Sequence, residues 1–106
     1  MSEILGLGQV RAKRSKEGRS YLEFLRVPAM SAGIYVLPVG ATDRQSAHQQ
    51  DEIYYVISGA AKTRLGSNES RVVKGDVIFV EANLEHRFFD IEDELVLLVV
   101  FAPAET

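Results

Sequence analysis

The sequence predicts an all-β fold, and three features of the 106-residue chain point to it. Turn-forming residues recur roughly every eight to twelve positions, which is the spacing of a β-sandwich or barrel. Runs rich in Val, Ile, Phe and Tyr fill the intervals, and these branched and aromatic side chains suit a pleated, half-buried surface. No stretch of about twelve residues carries a convincing helical period.

The expected strands, in order, are 21–27, 33–37, 52–58, 61–65, 69–73, 77–80, 86–91 and 95–101. Pro28 closes the first, and Pro38 with Gly40 closes the second. Gly59 separates the third from the fourth, and Gly66-Ser67-Asn68 turns the chain into the fifth. Lys74-Gly75-Asp76 precedes the sixth, and Glu92-Asp93-Glu94 divides the last two. Glycine, asparagine and aspartate tolerate the dihedrals of tight turns, whereas proline presets its own. Residues 1–20 read as an N-terminal arm, able to form one turn of helix over 2–8, and residues 21–102 as the barrel of a single domain spanning 1–106.

Composition narrows the function classes. Charged residues make up 25% and the net charge is -3, so neither nucleic acid nor an anionic membrane is an expected partner. The basic group Arg11, Lys13, Arg14, Lys16 and Arg19 has no aromatic residue before Tyr21 to stack on bases, and reads as a solvated loop. With no cysteine, disulfides, thiolate metal sites and cysteine nucleophiles are excluded. The first residues lack the features of a signal peptide and no apolar run can span a bilayer as a helix, so a cytoplasmic protein is expected. The final strand, Leu95 to Phe101, is apolar on both faces; its outer cover is expected to be a second subunit, making a homodimer.

The two histidines carry the chemistry. His48 precedes Glu52 by four residues, and His86 opens a later strand. If the chain is extended from Ser46 onward, strand parity directs Ser46, His48, Gln50 and Glu52 to one face, with Tyr54 and Val56 continuing it. Two imidazoles and a carboxylate converging from distant segments form a facial ligand set for Fe(II), Zn(II), Mn(II) or Ni(II).

The spacing of these residues resembles the two motifs of the cupin superfamily. The first reads G-x5-H-x-H-x3-E-x6-G; here Gly40, Ser46, His48, Glu52 and Gly59 stand at its positions. The second reads G-x5-P-x-G-x2-H-x3-N, matched by Gly75, Glu81, Asn83, His86 and Asp90. The resemblance implies an antiparallel jelly-roll β-barrel whose cup holds one divalent metal on His48, Glu52 and His86. Ser46 stands where the family has its first histidine, so one ligand position passes to water or, through its amide oxygen, to Gln50. Asn83 in place of glycine can still adopt the left-handed turn.

Tyr54 shares the inward face and is a candidate proton donor. Arg26 and Tyr35 lie on strands that line the cup of a cupin, and an arginine there can clamp a carboxylate. Phe24, Phe79, Phe88, Val56 and Ile78 read as core or apolar pocket wall, with Ser46, Gln50 and Phe88 bordering the pocket, while Asp51 and Arg87 alternate outward. The expected function is a metal-dependent enzyme on a small organic molecule, most concretely of dioxygenase type, with isomerase or lyase chemistry close behind. The alternative is a non-catalytic cup that binds or senses a small ligand, since one fold hosts many functions.

Overall fold

The computed structural model describes residues 2–106. Its one helix among them is α1 (Leu7–Glu17), followed by six strands: β1 (Tyr21–Val27), β2 (Met30–Leu37), β3 (Asp51–Leu65), β4 (Asn68–Val73), β5 (Val77–Val80) and β6 (His86–Ala102). The strand order is β1-β2-β6-β3-β4, with β5 beside β3, and every pairing is antiparallel. This is the expected all-β, jelly-roll arrangement.

The eight expected strands become six because two breaks do not break the chain. Gly59 adopts φ 97° inside β3, where an added Cβ would lie 2.1 Å from the Glu94 carbonyl oxygen of β6. The glycine therefore permits a close crossing of the two longest strands. The β3–β6 register slips between Val56 and Lys62, and such irregularities bend a strand without ending it. On β6 the acidic run Glu92-Asp93-Glu94 stays extended and exposed, and Asp93 pairs with Ala60. Each long strand thus passes from one side of the barrel to the other.

The basic segment is a helix, not a loop, and residues 2–6 before it carry no helical turn. Lys and Arg are competent helix formers, and Arg14 and Lys16 complement the dipole in the last turn. Gly18, at φ 69°, closes it by donating its N–H to the Arg14 and Ser15 carbonyls. Val10 is its one buried residue, which is too little apolar patterning to betray a helix in the sequence.

Val10 nevertheless covers part of the barrel's outer surface, packing with Leu22, Ile34, Val36 and Val96. Part of the cover expected from a second subunit on the last strand is therefore supplied by the chain's own helix. The inner core contains Tyr54, Val56, Ile78, Phe88, Leu95, Leu97, Val99 and Phe101. Phe24 is half-buried against the outer cluster. Phe79, expected in the core or pocket wall, is 59% exposed, because it alternates outward from Ile78 and Val80.

Candidate metal centre

The chain between β2 and β3 has no strand partner, so no pleat directs its side chains. Extended structure begins only at Asp51, and the expected alternation from Ser46 to Glu52 does not hold. His48 and Glu52 still converge, because the backbone N–H of Asn83 donates to the His48 carbonyl oxygen at 2.6 Å. Asn83 adopts φ 69°, the left-handed conformation expected of it, just ahead of His86. That bond, with the one from the Ala82 N–H to Asp51 Oδ1 at 2.9 Å, ties the first motif segment to the turn that delivers the second histidine.

The ligating atoms of His48, Glu52 and His86 lie within 4.8 Å of one another. His86 Nδ1 bonds the Leu84 carbonyl oxygen at 2.9 Å, which requires a proton on Nδ1 and leaves the Nε2 lone pair facing inward. Glu52 Oε1 lies 3.1 Å from that Nε2, and while Nε2 is unprotonated neither carboxylate oxygen has a hydrogen-bond donor, although both side chains are almost wholly buried. His48 Nδ1 stands 3.2 Å from Glu105 Oε2, and a carboxylate only accepts, so Nδ1 carries the proton there too. His48 Nε2 then faces Gln45 Oε1, a second acceptor, at 3.2 Å.

The cluster therefore brings together acceptors with one hydroxyl donor among them, that of Tyr54. The Tyr54 hydroxyl lies 2.8 Å from Gln45 Oε1 and 3.1 Å from His86 Nε2, and its one proton serves one of them at a time. A buried set with surplus lone pairs and a carboxylate demands a cation, either a proton or a metal ion. Burial alone would push the His86 imidazole down, but the hydrogen bond to Glu52, the Leu84 carbonyl and the nearby carboxylates hold it above its ordinary value. Burial, then the charge of Glu52, raises the Tyr54 phenol well above its ordinary value, so it stays protonated at neutral pH. The donor set of two imidazoles and a carboxylate fits a divalent ion.

A cavity of about 450 Å³ opens onto this cluster, within the size range of small-molecule sites. Its lining includes His48, Glu52, Tyr54, Tyr35, Tyr21, Gln45 and Glu105. Of the residues expected around the pocket, Tyr35 alone borders this cavity. Ser46 lines a second depression with Arg64, Glu85 and Arg87, which His86 and Gln45 also border. Gln50 donates its side-chain amide to Thr106 Oγ1 at 3.0 Å. Arg26 pairs with Glu23 at 3.1 Å on an exposed edge, and Phe88 is buried behind Tyr54, with ring centroids 5.0 Å apart.

Sequence reasoning passed over Asp43, Gln45 and Glu105. Asp43 organises the irregular segment: Oδ1 accepts from the Tyr35 hydroxyl at 2.8 Å, and Oδ2 accepts from the Phe88 N–H and the Gln45 amide, each at 2.8 Å. Its Oδ1 also receives the Gln45 backbone N–H at 3.3 Å, a local turn that an aspartate between Gly40 and Ser46 can signal. Nothing in the sequence marks Glu105. It arrives because the chain after β6 folds back, with its N–H bonded to Ser31 Oγ at 2.9 Å.

The cupin domain family matches residues 33–101, a stretch that holds both histidines and Glu52. The chain belongs to the cupin family. A protein of uncharacterised activity from Streptomyces coelicolor is 42% identical over 100 residues, covering 94% of this cupin and 95% of the relative. Among solved structures, TT1209 from Thermus thermophilus superposes with a TM-score of 0.75 at 24% identity, over 97% of this chain and 99% of that one. The DMSP lyase DddQ from Ruegeria pomeroyi gives a TM-score of 0.70 at 18% identity, over 83% of this chain and 49% of that one. These two structural likenesses show the fold alone. The His48–Glu52–His86 group of this cupin can hold a metal ion.

Proposed function

We propose that this cupin is a metal-dependent enzyme acting on a small organic molecule, with His48, Glu52 and His86 holding one divalent ion of iron, zinc, manganese or nickel. The observation that carries the reading is the Glu52 carboxylate, buried without a donor against two inward-facing imidazole nitrogens. When bound, the ion supplies a Lewis acid that polarises a coordinated substrate oxygen.

Tyr54 favours isomerase or lyase chemistry over the dioxygenase type. Its protonated phenol stands 3.1 Å from His86 Nε2, within reach of a substrate atom bound beside the histidines, and is poised to donate a proton. Tyr35, Tyr21, Val99 and Phe101 supply an apolar wall, and Arg44 at the lining suits an anionic substrate. The competing reading is a cup that binds a small ligand without turnover. Metal analysis of untagged protein, paired with His86→Ala, separates the two. Near-stoichiometric metal lost in the variant supports the enzyme; no metal and no uptake on adding divalent ions back leaves the binder.

The reading includes a homodimer in the cytoplasm. On the outer face Ile53 pairs with Phe79 and Val100, and Tyr55 pairs with Val77 and Leu98. Ile53, Tyr55, Val77 and Phe79 are all exposed, an apolar band beyond the reach of α1 that suits the same band of a second copy. No helix among the described residues is long and apolar enough to cross a membrane.

A further inference from the structure

Ser46 occupies the position of the missing motif histidine and lines the second depression, which Gln45 and His86 also border, while Gln50 is engaged by Thr106. Gln50, the side chain the sequence suggested as substitute, is thus committed away from the cavity's lining. Gln45 reaches the centre. Its side-chain nitrogen donates to Asp43 Oδ2 at 2.8 Å, and because a carboxylate accepts only, the amide cannot be reversed. The oxygen is thereby aimed at the cluster, 3.2 Å from His48 Nε2 and 2.8 Å from the Tyr54 hydroxyl. Asp43 is itself fixed from two other elements, by the Phe88 N–H of β6 and the Tyr35 hydroxyl of β2.

We propose that Gln45 supplies the fourth protein ligand of the metal centre, its amide oxygen replacing the imidazole that Ser46 has lost, with Asp43 as the residue that positions it. This rests on the metal reading above and deepens it. Two neutral imidazoles, one carboxylate and one neutral amide oxygen make a half-nitrogen, half-oxygen set. Such a set suits Mn(II), Fe(II), Ni(II) or Zn(II) and disfavours Cu(I), which prefers sulfur. Gln45 Oε1, which takes one hydrogen bond from Tyr54 and keeps a second lone pair, faces His48 Nε2 beside the Glu52 carboxylate, an arrangement a shared cation resolves.

The test titrates metal-free full-length protein with Mn(II) by calorimetry and with Co(II) by visible absorption. Gln45→Met keeps the side-chain length and offers no hard oxygen; it is expected to weaken Mn(II) binding by about 10- to 100-fold, the range for disrupting groups around a metal, and to alter the Co(II) spectrum. Gln45→Glu retains an oxygen and relieves its repulsion from Asp43 when a cation binds, so it is expected to hold metal at least as tightly as the wild type. Ser46→Ala is expected to change neither readout. Tight wild-type binding with an unchanged affinity and spectrum in Gln45→Met overturns the assignment and leaves the metal centre standing. So does a loss in Ser46→Ala equal to that in Gln45→Met. No uptake of either ion by the wild type overturns both. Circular dichroism of each variant identifies any loss that comes from unfolding, and the Gln45→Glu result then decides.

Discussion

Glu105 Oε2 lies 3.2 Å from His48 Nδ1, so the residue next to the C-terminus orients the first-motif histidine. Four further bonds hold this segment over the cup: Glu105 N–H to Ser31, Ala104 N–H to Pro28, Gln50 to Thr106, and the Arg26 guanidinium to the Glu105 carbonyl oxygen. A carboxylate on the far nitrogen of a ligating histidine fixes its tautomer and ring angle. Glu105→Gln is therefore expected to lower metal affinity by about 10-fold while leaving the fold intact. Calorimetry with Mn(II) checks this, and an unchanged affinity would show that the contact is incidental.

Glu52 sets function against stability. Its carboxylate is 2% exposed, and its one prospective donor is His86 Nε2 when that nitrogen carries a proton. In the metal-free protein at alkaline pH, where His86 Nε2 has lost its proton, Glu52→Gln should raise stability by about 1–2 kcal/mol, because a buried unsatisfied charge is replaced by a neutral group able to donate to that nitrogen. The same change should abolish stoichiometric metal uptake. Urea unfolding of both proteins without metal gives the first quantity, and a destabilised variant would mean that Glu52 is already satisfied.

Proton and metal compete for His86. Its imidazole is held above the ordinary value, so in the metal-free protein it keeps its proton at a pH where a free histidine, near about 6.5, has begun to lose it. The associated stability is complete below the unfolded-state value and is lost as pH rises through the folded-state value. Metal-free Tm should accordingly fall as pH climbs through and above the ordinary imidazole range. Metal affinity should rise over the same interval, with proton release on binding detectable in a weakly buffered dye solution. Binding independent of pH there would remove His86 from the ligand set.

Gly59 is a structural hinge of the barrel. At φ 97°, with the Glu94 carbonyl oxygen 2.1 Å from any added Cβ, Gly59→Ala combines backbone strain with a steric clash against main chain. A loss of about 2–4 kcal/mol is expected in chemical denaturation. Gly40→Ala is the control: it also has positive φ, but nothing lies within 4 Å of its Cβ, so the difference between the two isolates the strand crossing.

Phe79→Glu places a charge in the middle of the exposed apolar band formed with Ile53, Tyr55 and Val77. Sedimentation should find a wild-type dimer and a monomeric variant with the same circular dichroism. A wild-type protein that sediments as a monomer at tens of micromolar would assign that band some other role.

Most turns, the strand faces from Glu52 to Ile57 and the convergence of His48, Glu52 and His86 were legible in the sequence. The first two rest on local chemistry: alternation puts Glu52, Tyr54 and Val56 on one face and Ile53 and Tyr55 on the other, and asparagine tolerates the left-handed turn at position 83. Long-range contacts set what local rules cannot reach. His86 pairs with Leu65 at the far end of β3 from Glu52, a separation of roughly 40 Å along an extended strand, and only the bending of β3 and β6 around Gly59 closes it to 3.1 Å. In the unpaired segment before β3 no ladder imposes alternation, so the contacts of Asp43, Asn83 and the C-terminal residues set its side-chain directions. That is why Gln45 and Glu105 contact His48 while Gln50, the nearer candidate by spacing, bonds Thr106 instead.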